Sequence, residues 1–184
     1  KSLFQWCVTW GARVLLFLFT DFSIHGRESF RSLPLLVVAN HRSFWDVLFI
    51  GMLFPWRQFP LGSIAHDVFF RNPFVRFIMW LGGGVRAHKG KGLDISLECP
   101  RSILAKKKVF FIFPFGKIVW DGNYPVPGRG AATLIQTTPG LNILPVYLDT
   151  TPNMTLRMFL FGRCRMRIFA GAPFSISHAD AADI

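Results

Sequence analysis

His41 and Asp46 are the two residues of this sequence whose types and spacing suggest catalysis. His41 follows an apolar, β-prone run at 35–39, and Asp46 precedes a second apolar run at 47–50. The first run has the length and composition of a buried strand, and the second favours a helix with one apolar face. A side chain on such a strand-to-helix turn is exposed at the carboxyl edge of a sheet. His41 is therefore a candidate general base, and Asp46 is the candidate carboxylate that orients its imidazole.

This pairing depends on a chain reversal at His41. Five residues along a straight helix would place the two side chains roughly 140° apart around the axis. Only a turn brings the imidazole back over Asp46. The alternative is structural: Asn40 and His41 satisfy backbone groups at the turn, and Asp46 lies near a helix N-terminus.

The composition limits the class of partner. The chain has 184 residues, enough for one domain with its own core, and a formal net charge of +11. A basic, Phe-rich chain suggests nucleic acid, an anionic membrane surface, or an acidic carrier protein with an anionic substrate. We expect no nucleic-acid partner, because the aromatics lie mainly in apolar runs and no nucleic-acid-binding motif occurs. The competing nucleic-acid hypothesis would require strongly salt-dependent binding.

Residues 1–24 form an apolar N-terminal segment, and residues 25–184 form the predicted catalytic domain. A spanning helix needs about 20 mostly apolar residues, and Arg13 near the middle of this segment would cost roughly 2.5–3.5 kcal/mol. We therefore predict a helix in the membrane interface, attached as a peripheral or monotopic element. A helix packed on the domain core and a true span are the alternatives.

Strand and helix signals alternate through the rest of the chain. Residues 22–34 form a connector with at most a short strand. Predicted helices cover 44–53, 75–81, 93–105 and 131–136, and Pro100 is expected to kink or split the third. Predicted strands cover 35–39, 59–65, a short segment after residue 84, 109–113, 142–148 and an edge strand at 166–169. This alternation predicts an α/β fold with a mostly parallel central sheet flanked by helices.

Six short stretches occur in a fixed order along this fold. They are Asn40-His41-x4-Asp46, Ala65-His66-Asp67-Val68 leading to Asn72-Pro73-Phe74, Leu81-Gly82-Gly83, Phe113-Pro114-x-Gly116, Gly128-Arg129-Gly130-Ala131, and Leu144-Pro145-Val146. Over residues 35–173 the ordered set resembles the glycerolipid (lysophospholipid) acyltransferase family. The best-known member of that family acylates lysophosphatidic acid to phosphatidic acid.

The resemblance implies a mechanism. His41 would take the proton from an acceptor hydroxyl, which attacks the thioester of an acyl donor, and Asp46 would orient the imidazole. No covalent acyl-enzyme is implied, in agreement with the absence of a GxSxG motif. Ser43, inside the first block, is interpreted as a helix-start residue.

The third block departs from the family pattern at Phe115. The family has Phe-Pro-Glu-Gly there, and its acidic residue is implicated in acceptor binding; this chain has Phe113-Pro114-Phe115-Gly116-Lys117. A phenyl ring cannot accept the hydrogen bonds that a carboxylate accepts. An altered acceptor, an inactivated homologue and a deliberate substitution in an otherwise active sequence are the competing explanations.

The second block of the family usually ends in an Arg that binds the acceptor phosphate. Arg86 or His88 occupies that position, depending on alignment. A bidentate Arg holds phosphate most strongly, so Arg86 is favoured and Arg129 comes next. A solvated or lipid-facing cation is the alternative for each. The candidate substrate-binding residues are Arg86, His88, Phe115, Gly116, Lys117 and Arg129, with Lys89 and Lys91 as further basic candidates.

The remaining expectations concern cofactors, partners and location. His25, His66, His88 and His178 lack metal-ligand spacing, so no metal and no cofactor are expected. The expected partners are membrane phospholipid, a lysophospholipid acceptor, and an acyl-carrier-protein or coenzyme A thioester as co-substrate. Three cysteines without metal-ligand or CxxC spacing favour a reduced, cytoplasmic-face location. A catalytically silent homologue that binds lipid or acyl carrier is the second hypothesis, because Phe115 replaces the family's Glu.

Overall fold

The computed structural model describes residues 2–26, 33–43, 45–55, 58–59, 61–88, 90–119, 121–151, 155–161 and 164–176. Phe44, Lys89 and His178, named in the sequence predictions, lie outside them. The helices are α1 Ser2–Phe19, α2 Asp46–Gly51, α3 Pro73–Leu81, α4 Leu93–Ala105, α5 Gly130–Thr137 and α6 Leu156–Leu160. The strands are β1 Asp21–His25, β2 Leu35–Ala39, β3 Gly62–Ala65, β4 Gly84–Arg86, β5 Val109–Ile112, β6 Asn142–Thr150, β7 Arg165–Ala170 and β8 Phe174–Ser175.

The strands form one mixed sheet of order β1-β7-β6-β2-β5-β3-β4, with β8 pairing to β6. Pairings within β6-β2-β5-β3-β4 are all parallel, as is β1 with β7, whereas β6 pairs antiparallel with β7 and β8. The predicted α/β fold with a mostly parallel sheet flanked by helices is confirmed. Because β2 and β5 are neighbours, the residues that follow them meet at the same carboxyl edge of the sheet.

One detail of the prediction is wrong. The late strand β7 is not an edge strand, because β1, which the sequence assigned mainly to a connector, pairs with β7 along the whole length of β1. Of the two effects expected at Pro100, a split is excluded, because α4 runs unbroken from Leu93 to Ala105, and a kink stays a prediction. Leu97, Pro100 and Leu104 form one buried stripe of α4, so packing against the sheet holds the helix together there.

Helices cover the central strands on both faces. One cluster joins α1 and α2 to the inward side chains of β2, β5, β6 and β7. The second joins α4 and α5 to the opposite face of β2 and β5. The β2 residues Leu35, Leu36 and Val37 are almost fully buried, so this strand is the rigid support of the turn that follows it.

Helix α1 is joined to the sheet through polar side chains. The buried amide of Gln5 accepts from the backbone N–H of Leu61 at 3.0 Å and donates to the carbonyl of Leu61 at 3.3 Å. Gly83, which has φ +80°, packs against the same segment: a β-carbon there would collide with the backbone carbonyl oxygen of Leu61 and would lie 2.6 Å from Nε2 of Gln5, so the position requires glycine. The opposite face of α1 exposes large apolar residues: Leu3, Phe4, Val8, Trp10, Val14, Leu15, Phe17 and Leu18.

The division of the chain into an N-terminal segment, residues 1–24, and a domain, residues 25–184, stays a prediction.

Candidate active site

The turn between β2 and α2 places His41 against Asp46. Nδ1 of His41 lies 2.9 Å from Oδ2 of Asp46, and the imidazole side chain is 17% exposed. The turn thus produces the geometry that the spacing required. Because Nδ1 faces the carboxylate, Nε2 is the nitrogen positioned for proton transfer.

Asp46 is fully buried, and both of its carboxylate oxygens accept hydrogen bonds. The backbone N–H groups of Arg42 and Ser43 donate to Oδ2 at 2.6 and 2.8 Å, and the hydroxyl of Ser43 donates to Oδ1 at 2.8 Å. Together with His41, these groups satisfy a carboxylate that burial would otherwise strongly disfavour. Ser43 is therefore not a helix-start residue, because α2 begins at Asp46 and the hydroxyl of Ser43 fixes the carboxylate.

Asn40 anchors the turn to the neighbouring strand. Its side chain donates to the carbonyl of Leu148 at 3.0 Å and accepts from the N–H of Leu148 at 2.7 Å. The structural role considered as the alternative, the satisfaction of backbone groups, is therefore correct for Asn40, which bonds to the backbone of β6. The imidazole of His41 instead faces the carboxylate of Asp46.

The third block lies beside the imidazole. The ring of Phe113, directly after β5, stacks on His41 with centroids 4.0 Å apart and planes 8° from parallel. The N–H of Val119 donates to the carbonyl of His41 at 2.7 Å. The sequence alone marked Phe113 only as part of the Phe113-Pro114-x-Gly116 motif. The feature that identifies its place is its position directly after β5, because β5 is the parallel neighbour of β2 and both strands end at the carboxyl edge where His41 lies.

The Phe115 loop is closed by a turn. The N–H of Gly116 donates to the carbonyl of Phe113 at 3.0 Å, and Gly116 has φ +62°, a conformation that favours glycine. Phe115 is half-buried and packs on Tyr124, with centroids 4.9 Å apart. Gly116 and Lys117 are exposed. The block thus keeps a tight turn, with an aromatic pair where the family has a carboxylate.

Arg86 and His88 gather around Asp67, which the sequence analysis did not select. Nε of Arg86 lies 3.2 Å from Oδ1 of Asp67, and the backbone N–H of His88 donates to the same oxygen at 3.2 Å. The guanidinium also lies over the ring of Phe70. This cluster lies at the carboxyl ends of β3 and β4, at the same edge of the sheet as the His41 turn, and β5 lies between these strands and β2.

The remaining basic candidates are exposed. Arg129 lies immediately before α5, and the N–H of Gly128 ties its loop to the carbonyl of Pro114 at 2.7 Å. Lys91 is exposed on the loop before α4. Nη1 of Arg42, the residue after His41, lies 3.6 Å from Oδ1 of Asp149, and Nη1 of Arg165 lies 3.6 Å from Oδ2 of the same carboxylate. Arg42 and Arg165 thus share the carboxylate of Asp149.

The cysteines and the potential metal ligands form no second site within the described residues. Cys7, Cys99 and Cys164 are free thiols, and burial raises the pKa of Cys164, which disfavours its thiolate. Within the described ranges, no three His, Cys, Asp or Glu side chains converge as a metal site. The absence of a metal and of a cofactor stays a prediction.

Known proteins resemble this chain over most of its length. A family model described as Acyltransferase matches residues 21–149. The chain is 24% identical to 1-acyl-sn-glycerol-3-phosphate acyltransferase alpha of Bos taurus over 148 residues, 77% of this chain and 50% of that protein. It is 22% identical to 1-acyl-sn-glycerol-3-phosphate acyltransferase of Saccharomyces cerevisiae over 144 residues, 76% of this chain and 46% of that protein. The chain thus spans about half the length of the curated relatives it matches.

A solved structure has the same fold. The crystal structure of the 1-acyl-sn-glycerophosphate (LPA) acyltransferase PlsC from Thermotoga maritima superposes with a TM-score of 0.67 at 21% identity. The match covers 94% of this chain and 70% of that chain. This likeness establishes a shared arrangement of sheet and helices.

Proposed function

The chain belongs to the acyltransferase family, and from that premise we propose that it transfers a fatty acyl group from a thioester to the hydroxyl of a lysophospholipid. The donor is an acyl carrier protein or coenzyme A thioester, and lysophosphatidic acid is the representative acceptor. The observation that carries the proposal is the 2.9 Å contact of His41 with a buried Asp46 at the carboxyl edge of the sheet.

The reaction proceeds through a direct attack. Nε2 of His41 takes the acceptor's hydroxyl proton as the hydroxyl oxygen bonds to the thioester carbonyl carbon. The tetrahedral intermediate then collapses, its carbon–sulfur bond breaks, and the imidazolium returns the proton to the leaving thiolate. Asp46 holds Nδ1 protonated and stabilises the imidazolium between these steps.

Arg86 is the proposed acceptor-phosphate ligand. A guanidinium has five N–H donors in a fixed fork, and Asp67 uses the one at Nε. The two terminal nitrogens, Nη1 and Nη2, are then the pair that can donate two parallel hydrogen bonds to a phosphate. His88, Lys117 and Arg129 supplement this charge, and Phe115 and Gly116 shape the loop beside the acceptor.

Lipid substrates and an exposed apolar helix support a membrane location. Helix α1 is long and apolar enough to cross a bilayer by length and composition, yet its Gln5 side is bonded to the sheet. A helix fixed along the domain in this way fits a monotopic or peripheral attachment, with α1 lying in the interface on the cytoplasmic face. A mainly apolar groove between α1 and α2 is lined by Val8, Val47 and Leu48 among others, and we propose that it takes part of an acyl chain.

A substrate panel tests the function. The full chain in liposomes is offered a labelled acyl thioester, as coenzyme A or carrier-protein conjugate, with lysophospholipids that differ in head group. We expect a labelled diacyl phospholipid and free thiol in equal amounts. Tight binding of thioester or lysolipid without product would support the second candidate, a silent binding homologue, which the aromatic pair at Phe115 and Tyr124 favours.

Replacing Phe115 by glutamate separates the explanations for the altered block. A carboxylate that accepts one charge-assisted hydrogen bond from a phosphate-bearing acceptor should raise kcat/KM for lysophosphatidic acid about tenfold or more. Phe115→Gln is the matched control, because it removes the ring without adding charge. Equal activity of all three proteins would mean that the acceptor does not use this position or that the site is silent.

A further inference from the structure

Helix α3 presents its apolar face outward. None of its residues is buried, and Phe74, Phe77, Ile78 and Trp80 are 71%, 53%, 38% and 54% exposed. At ~100° per residue these four lie within an arc of roughly 160°. Val75 and Met79, on the other side of the helix, are only partly covered by the domain. A surface helix of a soluble protein normally has the reverse arrangement.

Basic side chains border this face. Arg76 lies roughly 40° beyond Trp80 around the helix, from ~3.6 residues per turn, and Arg71 immediately precedes the cap residue Asn72. Both arginines are exposed, and no described carboxylate forms an ion pair with either. Exposed aromatics bordered by uncompensated arginines complement a bilayer with anionic headgroups, where rings enter the interface and guanidinium groups meet phosphates.

One end of helix α3 lies near the N-terminal part of α1. Gly82, at the end of α3, and Phe4, Gln5 and Val8 of α1 line the same groove. The other end of α3 is capped by Asn72, which follows the short 3-10 turn of Asp67, the ion-pair partner of Arg86. The C-terminal end of α3 therefore lies close to α1, and the N-terminal end of α3 follows the segment that carries Asp67 of the Arg86 cluster.

We propose that α3 is a second membrane-contacting helix, which lies in the headgroup region of an anionic bilayer beside α1. The proposal goes beyond the acyl-transfer function and requires no activity for its test. Two membrane-contacting helices fix the orientation of the domain on the bilayer. With α1 alone in contact, the domain could still rotate about the axis of α1. The orientation places the Arg86 cluster at the depth of lipid phosphates.

Vesicle binding of the full chain tests the proposal. The double variant Phe74→Gln/Phe77→Gln should lower partitioning about tenfold onto phosphatidylcholine vesicles and onto vesicles that also contain phosphatidylglycerol. Arg71→Gln/Arg76→Gln should lower it about tenfold on the anionic vesicles alone. Leu93→Gln/Ile95→Gln is the matched control, because these α4 residues are 41% and 50% exposed and α4 packs on the opposite face of the sheet; it should bind like the wild type.

A label on α3 gives an independent readout. An environment-sensitive fluorophore on Phe77→Cys, with Cys7 and Cys99 replaced by serine, should shift to the blue when vesicles are added, and the same label on Ile95→Cys should not. Unchanged partitioning of the Phe74/Phe77 variant together with an unshifted label would overturn the proposal. Loss of self-association in these variants, without loss of vesicle binding, would instead identify the face as an interface between copies of the chain.

Discussion

Replacing His41 by alanine should lower acyl transfer about 10²–10⁴-fold, the usual contribution of a general base. The protein should remain folded, because Asp46 keeps its three hydrogen bonds from Arg42 and Ser43. The free energy of unfolding should fall by only about 1–2 kcal/mol, from one lost hydrogen bond and the lost contact with Phe113. Initial rates and urea unfolding of the same preparation measure the two effects.

The control for His41 is another histidine. His25 stacks on Phe169 at an exposed position on β1, outside the catalytic turn, so His25→Ala should keep wild-type kcat. A His41→Ala protein that retained a substantial part of the wild-type rate would contradict the mechanism. Full thioester and lysolipid binding with no turnover in His41→Ala is the expected signature of a lost base.

Replacing Asp46 by asparagine should lower kcat about 10²-fold or more, with a small effect on stability. An amide can place its oxygen at the Oδ2 position, where it still accepts from the backbone and from Nδ1 of His41, and its nitrogen towards the Ser43 hydroxyl, which can accept. The hydrogen-bond geometry survives, whereas the negative charge that stabilises the imidazolium is lost.

The alanine variant of the same residue distinguishes charge from structure. Asp46→Ala removes the buried acceptor of the N–H groups of Arg42 and Ser43 and of the Ser43 hydroxyl. Each group left unsatisfied should lower the free energy of unfolding by about 1–3 kcal/mol. The alanine variant should therefore unfold at clearly lower urea concentration than Asp46→Asn. Asp94→Asn, at a 91% exposed carboxylate, is the matched control for both. An Asp46→Asn enzyme as fast as the wild type would exclude an electrostatic role.

Local patterns explain why the catalytic turn can be predicted from the sequence. The strand at 35–39, the five-residue interval and the following helix are all encoded within 16 consecutive residues (35–50). The hydrogen bonds that fix Asp46 also come from neighbours, Arg42 and Ser43. The prediction that Ser43 starts the helix is wrong because the helix begins at Asp46, two residues after the predicted start at 44.

Contacts between distant segments explain what the sequence did not predict. The pairing of β1 with β7 depends on residues 21–25 meeting residues 165–169, and no local pattern specifies that contact. The same holds for Asp67 and Arg86, which come together only because β3 and β4 are neighbours. The outward apolar face of α3 was also missed, since its periodicity predicts an amphipathic helix but not which side faces the domain.

The buried bond between Gln5 and Leu61 has a consequence for handling the protein. Because Gln5 on one side of α1 bonds to Leu61, removing the helix would leave the N–H and the carbonyl of Leu61 without these partners, so truncation is a poor route to a protein that needs no detergent. Surface redesign is the better route. Polar residues in place of Leu3, Trp10, Phe17 and Leu18 would change only the outward side of α1 and leave its attachment to β3 intact.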